Sequence, residues 1–213
     1  MNRSYPPKNR LNPITTQELS RKTAFHEAGH AAAIYLCNRQ KQLPPVFFQI
    51  CRNHANMHWL AKVEGGRLIH TLPLSIEEAI RYFTDSQKLA YLQAFEADII
   101  NLLVGPLAEA NYIALRDDEI INSQLITLNT LHFYGGSNDL KIVQDYMTCF
   151  GGDAAMQEQK LTELFLSAFY FINDGAMWRA ITALANYLLV HNKHVIDCEE
   201  ISGVLDAHFL MAI

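Results

Sequence analysis

The stretch Thr23-Ala-Phe-His-Glu-Ala-Gly-His-Ala-Ala-Ala33 constrains this chain more than any other. It carries His26, Glu27 and His30 in the pattern H-E-x-x-H. On an α-helix, residues four apart lie one above the other on the same face, so both imidazoles can converge on one tetrahedral zinc ion. Glu27 is rotated aside by one residue, which sets its carboxylate beside the metal, where it can take a proton from a zinc-activated water. The pattern points to metal-assisted hydrolysis. A helix that merely contains two histidines and an acid is the bland alternative.

The flanking residues support a helix here. Thr15-Thr-Gln-Glu18 has the form of a capping box, and the helix it opens is expected to run to about Cys37, with Asn38 and Pro44-Pro45 beyond its end. Gly29 inside it costs about 1 kcal/mol relative to alanine, so its missing side chain is read as permitting close packing near the metal. Val46–Ile50 and His58–Val63 are short, aromatic and β-branched, with polar residues between them and Gly65-Gly66 after them, which predicts a small hairpin or sheet. An exposed edge strand there can hold an extended peptide by backbone hydrogen bonds.

Further on, Leu74–Glu78 opens a helical stretch, and Gln87–Leu115 reads as a long helix with a break or kink at Gly105-Pro106. Residues 120–133 have mixed periodicity and remain untyped. Tyr134-Gly-Gly-Ser-Asn-Asp-Leu140 is a turn entering a helix, with Ser137 as cap and Asp139 in the first helical turn. Ala154–Ile172, Gly175–His191 and Asp197–Leu210 are read as the helices of a C-terminal bundle.

Composition narrows the function classes. The chain has 213 residues, 50% hydrophobic and 18% charged, enough for a substantial core. A net charge of −5 argues against a general grip on nucleic acid or an anionic membrane. Cys37, Cys51, Cys149 and Cys198 are far apart and suggest neither a disulfide framework nor a cysteine zinc site. The polar, proline-bearing N-terminus lacks the apolar core of a secretory signal, and Glu96, Asp98 and Glu109 interrupt the longest apolar stretches, so no membrane span is expected. These features together read as a cytoplasmic protein with reduced thiols.

Two histidines do not complete a zinc site, and one position must stay open for water. A thermolysin-like arrangement would take its third ligand from a glutamate such as Glu96 or Glu109. The extended H-E-x-x-H-x-x-G-x-x-H arrangement is ruled out, because Ala33 and Leu36 stand where its glycine and third histidine belong. Phe25–Ala31, then Gly105-Pro-Leu-Ala-Glu109, then Gly136-Ser-Asn-Asp-Leu-Lys141, in that order, resemble the peptidase domain of the FtsH-type ATP-dependent zinc proteases. The stretch His194–Ile201 resembles that family's entry to its final helix.

The resemblance implies that Asp139 is the third zinc ligand and that Glu109 accepts a hydrogen bond from a ligand histidine. It implies a mainly α, zincin-like helical peptidase domain with a small β hairpin or sheet and a C-terminal helical bundle. The divisions expected are a flexible arm over 1–14, a zinc-binding peptidase core over 15–152 and a helical region packed on it over 153–213. The expected function is a zinc-dependent endopeptidase for extended or unfolded polypeptides, with Glu27 as general base.

The departures matter as much. The sequence has no G-x-x-x-x-G-K-[S/T] loop and none of the membrane segments or ATPase module usual in the family, so no ATP-driven unfolding of its own is expected. The family's G-G-R-x-A-E-E-like segment stands here as Gly105-Pro-Leu-Ala-Glu-Ala110. A homo-oligomer and a separate unfoldase are the partners this suggests beside the peptide substrate. A proteolytically silent, zinc-bearing interaction or regulatory module is the competing reading. Of the other histidines, His54, His58, His70, His132, His191 and His194 are read as structural or solvated.

Overall fold

A computed structural model of the chain describes residues 16–55, 58–122 and 125–209. Helix α1 (Thr16–Ala32) continues through a π-helical turn (Ala33–Cys37) into a short α2 (Asn38–Gln40). Strands β1 (Phe48–Ala55) and β2 (His58–Gly65) follow, then α3 (Ile76–Ala79) and the long α4 (Asp85–Arg116). A 3-10 turn (Leu128–Tyr134) leads into α5 (Ser137–Phe150). The chain ends with α6 (Ala154–Asn173), α7 (Gly175–Val190), β3 (Val195–Asp197) and α8 (Cys198–Phe209). The architecture is mainly helical with one small antiparallel sheet. Among the described residues, no helix is long and apolar enough to cross a membrane.

The core forms around α1, which packs against α4, α7 and β2. Ala24, Ala28, Ala31, Ala32 and Ala33 are fully buried, and their small side chains let the neighbouring backbones approach closely. Phe25 anchors the same helix, stacked on Tyr112 at 4.4 Å and near Trp178 at 5.6 Å between ring centroids. Helices α6, α7 and α8 contribute Phe165, Ile172, Ile181, Leu184, Ile201 and Leu205 to one continuous apolar cluster with α1 and α4. At the far end of α1, Glu18 meets Tyr112 and Arg116; the capping box read there begins at Thr15, outside the described residues.

The hairpin lies close to its expected place, but β1 extends through Cys51–Ala55, which had read as connection, and β3 adds a strand that had read as part of a helix entry. The sheet order is β2-β1-β3. Ile50 faces Val63 in one ladder and Ile196 in the other. The segment after Cys37 also departs from expectation, because the helix goes on to Gln40 and buries Asn38. The wide turn at 33–37 accounts for this by bringing Ala33, Ile34, Leu36 and Cys37 all to the buried side.

Helix α4 corrects a second expectation. A break or kink was read at Gly105-Pro106; the helix is not broken there and runs through both residues. Proline inside a helix costs about 3 kcal/mol through a lost hydrogen bond and a ring clash. That cost is offset because the helix is buried nearly continuously from Phe95 to Asn111, so breaking it would expose much of the core. A reciprocal cap fixes its start: Thr84 Oγ1 accepts from Gln87 N–H at 3.4 Å, and Gln87 Oε1 accepts from Thr84 N–H at 2.9 Å. Helix α5 is also entered differently from expectation, since Gly136 is its N-cap and Ser137 already its first residue.

One buried carboxylate ties these parts together. Asp98, on α4 and only 2% exposed, accepts from the N–H groups of Leu68 and Ile69 at 2.9 and 2.8 Å. Tyr146 of α5 donates its hydroxyl to the same carboxylate at 2.9 Å. Burial pushes the Asp98 pKa up against these hydrogen bonds. The loop after β2 is thereby pinned to α4 and α5. Asp98→Ala takes the acceptor from the Leu68 and Ile69 N–H groups and leaves the Tyr146 hydroxyl only its 3.3 Å contact with the Ile69 carbonyl, and it is expected to cost about 3 kcal/mol, read as a lower urea midpoint at unchanged slope.

Candidate metal centre

His26 and His30 lie on the buried face of α1, and Asp139 comes to them from the first turn of α5. Asp139 Oδ2 is 3.3 Å from His26 Nε2, and Asp139 Oδ1 is 3.5 Å from His30 Nε2. One ligand atom from each residue falls within 4.8 Å of the other two. A tetrahedral ion with bonds of about 2.0–2.1 Å separates its ligands by about 3.3 Å, so a grouping within 4.8 Å lies near the spacing of a metal site, and the two carboxylate contacts are made by different oxygens.

The far side of each ring is held as well. His26 Nδ1 donates to Glu109 Oε2 at 3.2 Å, and His30 Nδ1 donates to the backbone carbonyl of Asn101 at 2.8 Å. These hydrogen bonds leave both Nε2 atoms directed at Asp139, the side on which a cation would be held in place of a proton. Glu109 lies against a histidine of the motif. Asn101 was not singled out from sequence, because a backbone carbonyl leaves no mark in residue type. Glu96, the other glutamate considered as a ligand, pairs instead with Lys160 at 2.6 Å.

Helix α4 shapes the site by proximity. A methyl group on Gly29 would lie 2.7 Å from Ala108 Cβ and 2.9 Å from the Val104 carbonyl, so this glycine permits the close crossing of α1 and α4. A methyl group on Gly105 would overlap the His30 ring, which lies flat on the glycine backbone. The next residue, Pro106, packs beneath Gly136 at the entry to α5. Asn101, Gly105 and Glu109, at four-residue intervals along α4, thus support His30, His30 and His26 in turn. Gly105→Ala must displace the His30 ring. It is expected to cost about 1–3 kcal/mol by overpacking and to weaken zinc binding about 10-fold or more, measured by chelator competition and thermal melting.

The charge of the pocket suits a cation. Burial alone would lower the His26 pKa, but hydrogen bonds to Asp139 and Glu109 and the negative charge of Glu27 overcome it and push it up to about 10. Burial opposes ionisation of Asp139 too, yet its contacts with His26 and His30 hold it well below the usual carboxylate range. Three carboxylates thus surround two imidazoles in a buried space, and a divalent ion would offset that excess. The donor set of two imidazole nitrogens and one carboxylate oxygen is suited to zinc.

Glu27 is buried beside His26, and its carboxylate turns toward the sheet. Its Oε2 accepts from the Val63 N–H of β2 at 2.6 Å. Of the remaining histidines, His70, His132 and His194 are exposed, His191 stacks on Tyr187 at 4.0 Å, and the side chains of His54 and His58 lie outside the described residues. The chain matches no protein-family model, and no curated protein matches it.

Proposed function

We propose that this protein is a zinc-dependent endopeptidase acting on extended or unfolded polypeptides, with the FtsH-type arrangement of its peptidase residues. The observation that carries the reading is the meeting of Asp139, from α5, within 4.8 Å of His26 and His30 on α1, the helix that also bears Glu27. His26 and His30 hold zinc through Nε2 and Asp139 through its carboxylate. When bound, zinc supplies Lewis acidity, making a water acidic near neutral pH and polarising a carbonyl.

The protein's own groups do the rest. Glu109 and the Asn101 carbonyl hold the two Nδ1–H groups, so neither ring can turn its Nε2 away. Glu27 accepts the proton of the attacking water and returns it to the leaving amine, so one carboxylate serves first as base and then as acid. The outer edge of β2, beside α1, offers backbone groups on which an extended chain can align. Most backbone groups of a folded substrate are already paired, which favours extended or unfolded polypeptides.

The test is turnover of an unstructured peptide library by zinc-loaded protein without nucleotide. Cleavage that stops on chelation and returns with zinc is the expected result. Stoichiometric zinc with no cleavage of any peptide would overturn the reading in favour of a zinc-bearing interaction module.

A further inference from the structure

The contact between Glu27 and β2 carries a consequence for the register of the sheet edge. In an antiparallel ladder, facing residues alternate between pairs that exchange hydrogen bonds and pairs whose N–H groups point away. Arg52 N–H turns from β2 to the His194 carbonyl at 2.7 Å, and Val63 N–H turns from β1 to Glu27. The pairs Arg52↔Ala61 and Ile50↔Val63 are therefore of the second kind. Ala61 and Val63 both direct their N–H groups to the outer edge of β2, the edge strand of the sheet. Of these, Val63 N–H is taken by the carboxylate.

We propose that the backbone N–H of Val63 is the positioning group for Glu27, holding one carboxylate oxygen so that the other is presented to the attacking water. The proposal rests on the peptidase reading for its catalytic part. A glutamate side chain has three rotatable bonds, and a base that wanders loses the alignment that makes proton transfer efficient. Here Oε2 is held at 2.6 Å by a charge-assisted hydrogen bond from a strand that is itself fixed to β1. The same contact sets the register of recognition. A peptide aligned on β2 can pair with the Ala61 N–H and with the outward carbonyls of Ala61 and Val63, whereas the Val63 N–H is withheld from it. The peptide carbonyl opposite Val63 finds no backbone donor and is left free for attack.

Two measurements test this, and the first does not depend on activity. Amide hydrogen exchange compares Val63 with Ala61, corrected for intrinsic rates. A bonded edge amide is expected to exchange about 10-fold or more slowly than an open one, and Glu27→Ala should abolish that difference while Ala61 is unchanged. Equal exchange at the two amides in the unmutated protein overturns the contact and the proposal with it.

The second measurement is kinetic. Proline at an outward-facing position on an edge strand removes that N–H and spares the ladder. Val63→Pro should lower kcat about 10–100-fold with KM changed less than about 3-fold and zinc content intact. A Val63→Pro protein with full zinc and unchanged kcat overturns the positioning role. Failure of the unmutated protein to cleave any peptide overturns the peptidase reading and the catalytic part together, and the exchange experiment still decides whether Glu27 is held. If Val63→Pro does not fold, the Glu27→Ala exchange result stands as the deciding measurement.

Discussion

Glu27→Gln is expected to retain stoichiometric zinc and to lose peptide turnover by about 10²–10⁴-fold, the range that general acid–base catalysis contributes. The substitution is close to isosteric, and the amide oxygen can still accept from Val63 N–H, so the fold around the site is kept. Glu27 is not among the three residues whose ligand atoms converge as a possible metal site. What disappears is the ability to accept a proton. The measurement pairs metal analysis with kcat on a cleaved library peptide. Full turnover by a purified, zinc-loaded Glu27→Gln protein would exclude Glu27 as the base and would require another proton acceptor.

Asp139→Ala should act on the metal itself. This side chain touches both Nε2 atoms and is the only anion in the ligand set, so its loss leaves two imidazoles and no anionic ligand. Removing a partner behind a ligand costs 10–100-fold in metal affinity, so removing a ligand is expected to cost more than about 100-fold. Thermal unfolding supplies a second readout. Zinc at about 100 times its dissociation constant stabilises the unmutated protein by about 2.7 kcal/mol, and the same concentration should scarcely shift the variant. Equal zinc affinity in the two proteins would remove Asp139 from the site.

The two substitutions separate chemistry from metal binding. Glu27→Gln keeps zinc and loses turnover, whereas Asp139→Ala loses both. Gly105→Ala resembles Asp139→Ala in weakening zinc, but it acts through the seat of the His30 ring. Asp98→Ala affects stability first, because Asp98 holds the loop at 68–69 and Tyr146, and is absent from the ligand group.

Local patterns made much of this legible in the sequence. His26, Glu27 and His30 are spaced by the helix repeat, so a helix through them is enough to put the two imidazoles on one face. Asp139 could be placed at a helix start because Gly135 and Gly136 mark the turn before it, although only the resemblance picked it out as a ligand. The C-terminal helices were readable from apolar spacing, and Asp153 and Asp174 cap two of them by accepting from Met156, Ala176 and Met177 N–H groups.

Other features depended on partners distant in sequence. Strand β3 is three residues long and pairs with β1 about 145 residues earlier, so no local pattern announces it. Gly105-Pro106 carries the ordinary signal of a break or kink, and the burial of α4 and the approach of His30 and Gly136 keep the helix from breaking there. The Asn101 carbonyl and the Val63 N–H are backbone groups that any residue but proline supplies as a donor and any residue as an acceptor. The sequence by itself determined which side chains could bind a cation and take a proton, because those capacities belong to residue type and helical spacing. Only the tertiary structure decided where the rings point and what holds Glu27, because those depend on backbone atoms brought from α4 and β2 to α1, and such contacts are made by packing.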